Sequence, residues 1–334
     1  MGKKYNVAIV GIRGMVGDCM FEIVKQRKFP IKELRLLSFN PKQALRKYIF
    51  NGKNIKLSKL THDCFEGIDI GLFSPGASVS KEYAPCAVKA GVVVIDNTSQ
   101  FRMDPDVPLV VPEVNPGDIK KHHGIIANPN CSTIQMVVAL KPLHDYAKIK
   151  RIVVSSYQSV SGAGAEAYNE LKAQLSGNLK VKNFQHQIAN NLIPHIDVPQ
   201  ENFYTKEEMK MVKETKKIMG DNSIKVTATC VRVPVFLAHS ESVNIETEKK
   251  ITRHQAIKLL SKAPGVKVID DIKNNLYPMP LFAEGKDETF VGRIREDESI
   301  KNGLNLWIVS DNIRKGAALN AVQIAEEIIR QKLI

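Results

Sequence analysis

Residues 3–17 read KKYNVAIVGIRGMVG. The apolar run before Gly11 has the length of a short buried strand, and a helical pattern, MFEIVKQRK at 20–28, follows the glycines. ELRLLSF at 33–39 supplies a second strand, so the first 40 residues make one βαβ unit. Gly11, Gly14 and Gly17 form G-x-x-G-x-x-G at the strand-to-helix turn. Glycines so placed allow a tight turn, close backbone approach to a pyrophosphate and close helix–sheet contact. The helix N-terminus offers its N–H groups and partial positive charge to the anion. Alone the motif is weak, because any tight βα turn uses glycine. Its place at the first crossover points to a dinucleotide.

Outward from this unit, DIGLFSP (69–75), VVVIDN (92–97) and GIIANP (124–129) read as further strands, with helical stretches such as SKEYAPCAVKAG (80–91) between them. The alternation predicts a Rossmann-like, doubly wound parallel sheet of the α/β class. Beyond residue 131 the strands lengthen and alternate: KIKRIVVSSYQSVSG (148–162), IKVTATCVRVPVFLAHSESVNIETEK (224–249) and LNLWIVSDN (304–312). These predict an α+β domain with a mostly antiparallel sheet. The last stretch, GAALNAVQIAEEIIRQKLI, is an amphipathic helix free to return to the first domain. The expected division is a nucleotide-binding domain at 1–130, completed by a C-terminal helix at 313–334, and a second domain at 131–312.

A length of 334 residues fits two domains with a core each. No apolar stretch approaches the roughly 18 residues needed to span a bilayer, and the N-terminal segment lacks a signal-peptide h-region. A cytoplasmic protein without membrane partners is expected. Five cysteines, widely spaced and without a C-x-x-C pair, argue against a disulfide framework and against a metal site. Cys19, Cys64, Cys86 and Cys230 read most simply as small buried hydrophobes. The net charge of +13 invites a nucleic-acid reading. The lysines are dispersed, however, and no nucleic-acid motif accompanies them, so a solvated basic surface is the simpler account.

Two features narrow the chemistry. A carboxylate at the end of the second strand usually holds the ribose 2′-OH of NAD. Here LLSFNPKQALRK (36–47) has none, and offers Ser38, Asn40, Lys42, Arg46 and Lys47 instead, so the cofactor expected is NADP. The second feature is ANPNCSTIQMVVALKPLHD (127–145), where Pro129 and Asn130 lead through Cys131 into an apolar helix. A thiolate at a helix N-terminus is stabilised by the helix dipole. Packing remains the alternative for a lone cysteine. A nucleophilic thiol beside NADP suits aldehyde oxidation through a thioester.

The blocks GxxGxVG, VIDNTSQFRMDPDVPLVVPEVN, ANPNCSTIQMVVALKPL, QSVSGAG, VRVPVFLAHSESVNIE and SDNIRKGAALNAVQIAE together resemble the aspartate-β-semialdehyde dehydrogenase family, in order and over essentially the whole chain. The resemblance implies Cys131 as nucleophile, His239 as general acid/base for the hemithioacetal oxygen, and Gln158 as orienter of the acyl intermediate. It implies Arg232 for the substrate α-carboxylate, Glu207 for its amino group, and Arg102 with Lys210 for phosphate. For the cofactor it implies Gly11, Gly14, Gly17 and Ser38, joined by Asn97, Ser161, Gly162 and Asn312, and Met15 and Val16 of the same turn are expected beside them. It further implies reductive conversion of L-4-aspartyl phosphate to L-aspartate 4-semialdehyde, toward lysine, methionine and threonine, by a homodimer built through a catalytic and dimerisation domain.

Side-chain chemistry agrees with these roles, since an arginine offers a planar fork to a carboxylate. Structural alternatives remain for each: a sheet histidine or arginine is often structural, and Glu207 with Lys210 fits a surface i,i+3 pair. Two departures stand out. The glycine turn reads G-I-R-G, and Phe39-Asn40 stands where many members carry an arginine after the serine. Arg13 lies in a turn that the adenosine ribose passes closely in this fold, which suggests it as the replacement charge for the 2′-phosphate. Rival functions are an N-acetyl-γ-glutamyl-phosphate reductase, whose blocked amine leaves Glu207 no ammonium partner, a nucleic-acid-binding module, and a cofactor-free thiol hydrolase.

Overall fold

Gly11 sits at φ +86°, where a side chain is strained, and a Cβ there would come within 2.5 Å of the Ser74 carbonyl oxygen. Backbone meets backbone at this turn, so glycine is required. The turn joins strand β1 (Tyr5–Val10) to helix α1 (Met15–Gln26). The computed structural model describes residues 2–40 and 46–334 and divides into two units: Met1–Pro129 with Ala317–Ile334, and Asn130–Gly316.

In the first unit the chain continues through β2 (Ile31–Ser38), a hairpin of β3 (Tyr48–Phe50) and β4 (Lys53–Ile55), and β5 (Leu57–Lys59). Then follow β6 (Ile70–Phe73), α2 (Ala77–Lys89), β7 (Val93–Asp96) and β8 (Ile125–Ala127). The main sheet has the order β5-β2-β1-β6-β7-β8, and every pairing is parallel. Both faces are covered, which explains the unbroken apolar runs in place of alternation. Val7 and Ile9 pack with Phe21 and Val24 of α1 and with Leu319, Val322 and Ile328 of the C-terminal helix (Leu319–Arg330). Ala8 and Val10 point the other way, to Tyr83, Ala84 and Ala87 of α2. Each valine, isoleucine or leucine among them contributes roughly 1.5–3 kcal/mol on burial. With β2 on one side of β1 and β6 on the other, the strand order reverses beside the glycine turn, where ligands of open α/β sheets bind.

The C-terminal helix is tied in by polar contacts as well. Asn320 Nδ2 donates to the Val110 carbonyl at 3.0 Å and to Asn128 Oδ1 at 2.6 Å, and Arg27 grips Glu326 with two bonds of 2.7 Å.

The second unit begins with α3 (Cys131–Ala147) and β9 (Ile149–Gln158). Helices α4 (Ala165–Leu175) and α5 (Lys206–Met219) separate β9 from β10 (Lys225–Arg232). The remainder is β11 (His239–Thr247), α6 (Arg253–Leu260), β12 (Val266–Val268), α7 (Pro280–Ala283), β13 (Thr289–Asp297) and β14 (Gly303–Ser310). Its sheet runs β10-β9-β11-β14-β13-β12. The three central pairings are antiparallel, in keeping with the expected mostly antiparallel sheet, while the two edge pairings, β10–β9 and β13–β12, are parallel. Topology supplies the reason: a long crossover through α4 and α5 returns the chain to the start of β9, which permits parallel pairing. One face of this sheet carries Ile152, Val154, Val243, Ile245, Leu306 and Ile308 against Met136, Leu140 and Leu143 of α3.

Of the four cysteines expected as buried hydrophobes, Cys230 is buried, while Cys19, Cys64 and Cys86 are half-buried. Among the described residues no helix is long and apolar enough to cross a membrane.

Candidate active site

The register of the second sheet brings three strand ends together. Arg232, the last residue of β10, is aligned with Gln158, the last of β9. Tyr157 is opposite Ser240, so His239 enters β11 beside that same end. Residues 233–238 make the link, and Ala238 takes φ +68°, a left-handed conformation costing a non-glycine residue about 1 kcal/mol or more. Asn312 holds it there, its Oδ1 accepting the Ala238 N–H at 2.9 Å.

Cys131 opens α3, and Asn130 is the cap: its Oδ1 accepts from the N–H groups of Ser132 (3.0 Å) and Thr133 (3.3 Å). Asn130 is fixed in turn by Glu214, which accepts its backbone N–H at 2.7 Å, and by Glu207, which accepts its Nδ2 at 2.8 Å. Gly316 backs the thiol, for a Cβ there would lie 2.9 Å from that of Cys131.

Glu207 is buried and receives Asn130 and Gln158 Nε2 (3.2 Å) on Oε1 and Lys210 Nζ (2.9 Å) on Oε2. Burial would raise its carboxyl, but the Lys210 charge and the hydrogen bonds from Lys210, Asn130 and Gln158 bring it down to about 2. Lys210 also reaches Asp197 at 2.9 Å. The i,i+3 pair is therefore real, with Glu207 buried and Lys210 half-buried.

Arg232 is 6% exposed, and its Nη1 donates to the Ser159 carbonyl at 2.7 Å. His239 is wholly buried, with Nδ1 against the Ser159 N–H at 3.1 Å and the Ser159 hydroxyl at 3.0 Å. Burial, then the Arg232 charge, depresses the imidazole to about 3, with Glu207 pulling the other way. Gly162 packs closely against both groups: a Cβ there would lie 3.0 Å from Arg232 Nη1 and 3.1 Å from His239 Nε2, so a side chain would crowd them. Thus a guanidinium and an imidazole nitrogen meet at one side-chain-free position of the backbone.

Ser161 and Asn312, expected at the cofactor, are joined to this histidine. Asn312 Nδ2 donates to Ser161 Oγ at 3.0 Å, and Asn312 Oδ1 accepts from Ser159 Oγ at 3.1 Å. The sequence reading did not single out Ser159 or Gly316. Ser159 stands inside the QSVSGAG block and Gly316 at the head of the last helical pattern, so each had a local signal but no chemical one.

In the first unit Gly11, Gly14 and Gly17 line the expected cradle; a Cβ at Gly17 would meet the Gly11 carbonyl oxygen at 2.4 Å. No side chain caps α1, which leaves the first-turn N–H groups of Met15, Val16 and Gly17 to a ligand. These features fit a dinucleotide pyrophosphate. Ser38 ends β2, buried, with its hydroxyl accepting the Asn40 N–H at 3.3 Å. Arg13 is half-buried with an unpartnered Nε. Arg46, read as a possible 2′-phosphate donor, is instead bound to Asp18 (2.8 Å) and Glu22 (2.6 Å). Lys47 is exposed, and Lys42 lies outside the described residues. Asn97 joins Asn128 side chain to side chain, and Arg102 is held by the carbonyls of Asn128 (2.9 Å) and Asn97 (3.0 Å).

Comparison with known proteins agrees on one family. Residues 6–122 match the semialdehyde dehydrogenase NAD binding domain, and residues 140–315 the semialdehyde dehydrogenase dimerisation domain. The chain is 57% identical to the aspartate-semialdehyde dehydrogenase of Aquifex aeolicus over 99% of both chains. It is 49% identical to that of Bacillus subtilis over the full length of both. The crystal structure of aspartate semialdehyde dehydrogenase II from Vibrio cholerae complexed with ASA is similar at a TM-score of 0.95 and 49% identity, over 98% of this chain and 99% of that one.

Proposed function

The chain belongs to the aspartate-semialdehyde dehydrogenase family, and from that premise we propose how its residues divide the reaction. It is an oxidoreductase of amino-acid biosynthesis with a nucleotide-binding unit. The reaction is the reversible conversion of L-4-aspartyl phosphate to L-aspartate 4-semialdehyde and phosphate. The cofactor is NADP: no carboxylate follows β2, and Arg13 offers a cation in the glycine turn.

The Cys131 thiolate attacks the acyl carbon and expels phosphate, leaving a thioester on Sγ. The nicotinamide, when bound, supplies a hydride to that carbon. Collapse of the hemithioacetal returns the thiolate and releases the semialdehyde. Gln158 orients the acyl group, and His239 serves its oxygen. Arg232 holds the α-carboxylate, the negative Glu207 the ammonium. Lys210 and Arg102 are the cations proposed for phosphate. Gly11, Arg13, Gly14, Met15, Val16, Gly17, Ser38 and Asn97 hold the cofactor from the first unit; Ser161, Gly162 and Asn312 complete the set. A homodimer through the second unit suits its exposed Leu192, Val198, Phe203 and Leu281.

The observation that carries this reading is Cys131 at the capped start of α3, in the unit where Arg232 and His239 meet beside Gly162. Phosphate-dependent reduction of NADP by aspartate semialdehyde tests it, with Cys131→Ser alongside. The serine variant should fold normally and lose nearly all turnover. Substantial activity in a well-folded Cys131→Ser enzyme would end the covalent mechanism.

A further inference from the structure

Phe39 is a large aromatic side chain left in the open at one end of the first sheet. It follows Ser38, the last residue of β2, and is 52% exposed. A single exposed apolar residue needs no ligand to account for it. The place and the support of this one are another matter. The Leu37 carbonyl accepts the Gly11 N–H at 3.1 Å, and the Ser38 carbonyl accepts the Leu60 N–H at 2.9 Å. The chain leading to Phe39 is thus fixed to the glycine turn on one side and to the end of β5 on the other. Leu37 points into the core shared with Tyr83, Ala84 and Ala87 of α2. Phe39, two residues on, meets Tyr83 edge to face, with ring centres 5.8 Å apart and planes at 81°. Tyr83 is buried and stacked in turn by His62, at 4.8 Å and 18°. An edge-to-face contact takes up one edge or one face of a ring, so the exposed Phe39 keeps a face for a ligand.

The layout of a dinucleotide brings a base to this place. In open α/β sheets of this kind the residue ending the second strand meets the ribose 2′ position, and the pyrophosphate sits at the first helix. The ribose carbon next to the 2′ carbon carries the adenine. A ring one residue beyond Ser38 therefore stands where the base leaves the sugar.

We propose that Phe39, backed by Tyr83, is the platform on which the adenine of the dinucleotide stacks, so that the purine is held by its face and not read by its edge. The inference rests on the cofactor proposed above, but it concerns the adenine that NADP and NAD share, not the phosphate by which they differ. A phenyl ring offers no polar atom to the edge of a base, and every base has a π face, so such a platform tolerates changes at the edge. Phe39 adds affinity in the adenosine half without adding charge.

Titration calorimetry of the full-length enzyme tests this with NADP, NAD and adenosine 2′,5′-bisphosphate, which carries the base without the nicotinamide. Phe39→Ala should weaken all three by a common factor of about 5- to 150-fold, the range of base–aromatic stacking. The salt dependence of NADP binding should be unchanged, because no charge is removed. Phe39→Tyr should stay within about threefold of the wild type, while Phe39→Leu, apolar without a π face, should be about two- to tenfold weaker. The hypoxanthine analogue of NADP, altered only at the edge of the base, should bind the wild type within about threefold of NADP itself. Phe39→Trp separates stacking from a structural role. Trp307 of β14 is the one tryptophan of the chain, so the new indole adds a signal of its own. Its emission should be quenched as adenosine 2′,5′-bisphosphate binds, while the same ligand leaves the wild-type emission unchanged. Binding of NADP to Phe39→Ala within about twofold of the wild type, unequal losses for NADP and NAD, or an unquenched indole would overturn the proposal. A loss above about tenfold with the hypoxanthine analogue would overturn recognition by the face. A wild type that prefers NAD to NADP would overturn the cofactor reading and leave the stacking result standing.

Discussion

Asn130 binds Glu207 to the helix that carries the thiol. Its Oδ1 caps α3 at Ser132 and Thr133, while its Nδ2 donates to Glu207 Oε1 at 2.8 Å. The carboxylate proposed for the substrate ammonium and the helix end that presents Cys131 thus share one asparagine.

Asn130→Ala should therefore act twice. Loss of the cap costs about 1 kcal/mol of stability, read as a lower urea midpoint. Loss of the Glu207 link should lower kcat beyond what the stability change explains. Asn130→Ser restores a cap without the amide donor, so it should recover the midpoint and leave kcat depressed. If the serine variant recovers both, the link to Glu207 has no part in turnover.

Arg232→Leu should raise KM for the semialdehyde by at least about tenfold, the value of one charge-assisted contact. A fall in kcat is expected too, because the same fork positions the reacting carbon. Arg232→Lys should rescue only partly, since an ammonium cannot pair bidentately while also meeting the Ser159 carbonyl. Steady-state kinetics unchanged in both variants would make Arg232 a structural residue.

Arg13 tests the cofactor. A guanidinium contact to the 2′-phosphate is worth about 1.5–3 kcal/mol, or some ten- to hundredfold in affinity. Arg13→Thr should weaken NADP by that factor, reduce the salt dependence of binding and leave NAD nearly unaffected. Titration calorimetry with both nucleotides decides the matter. Equal losses for the two, or none, would send Arg13 back to a solvent-facing role.

Glu241 is wholly buried two residues after His239, and burial pushes its carboxyl well above the ordinary 4.5, offset only in part by the Gln135 amide. A carboxyl raised in this way favours the folded state fully below its unfolded value, and that contribution is lost as pH rises through the folded one. Glu241→Gln removes the dependence. Its urea midpoint should match the wild type near about pH 4 and exceed it progressively as pH rises past the ordinary 4.5. A gap between the two midpoints that stays constant over this range would show that Glu241 folds without holding its proton.

What was legible in the sequence was local. The glycine spacing after β1 and the periodicity of α1 lie within some twenty residues, and each glycine's role is set by backbone atoms a few positions away. The parallel edges of the second sheet were not legible, since β10 finds β9 only after a crossover of more than sixty residues. Arg46 shows the limit for charges: a basic residue after β2 looks available until Asp18 and Glu22 fold beside it. Ser159 and Asn312 were harder still. Their hydrogen bond spans 153 positions, and neither residue type by itself announces that it orients an imidazole.

The return of the C-terminal helix to the first sheet has a consequence for how the protein is made. Val7 and Ile9 are made more than 300 residues before Val322 and Ile328, which cover them. Throughout synthesis of the second unit, one face of the parallel sheet is without that cover. The first unit thus reaches its final packing only after the whole second unit has been made, although its glycine turn precedes that unit. A chain that broke off before Leu319 would keep Cys131 and the whole second sheet, yet leave Val7 and Ile9 of β1 without that cover.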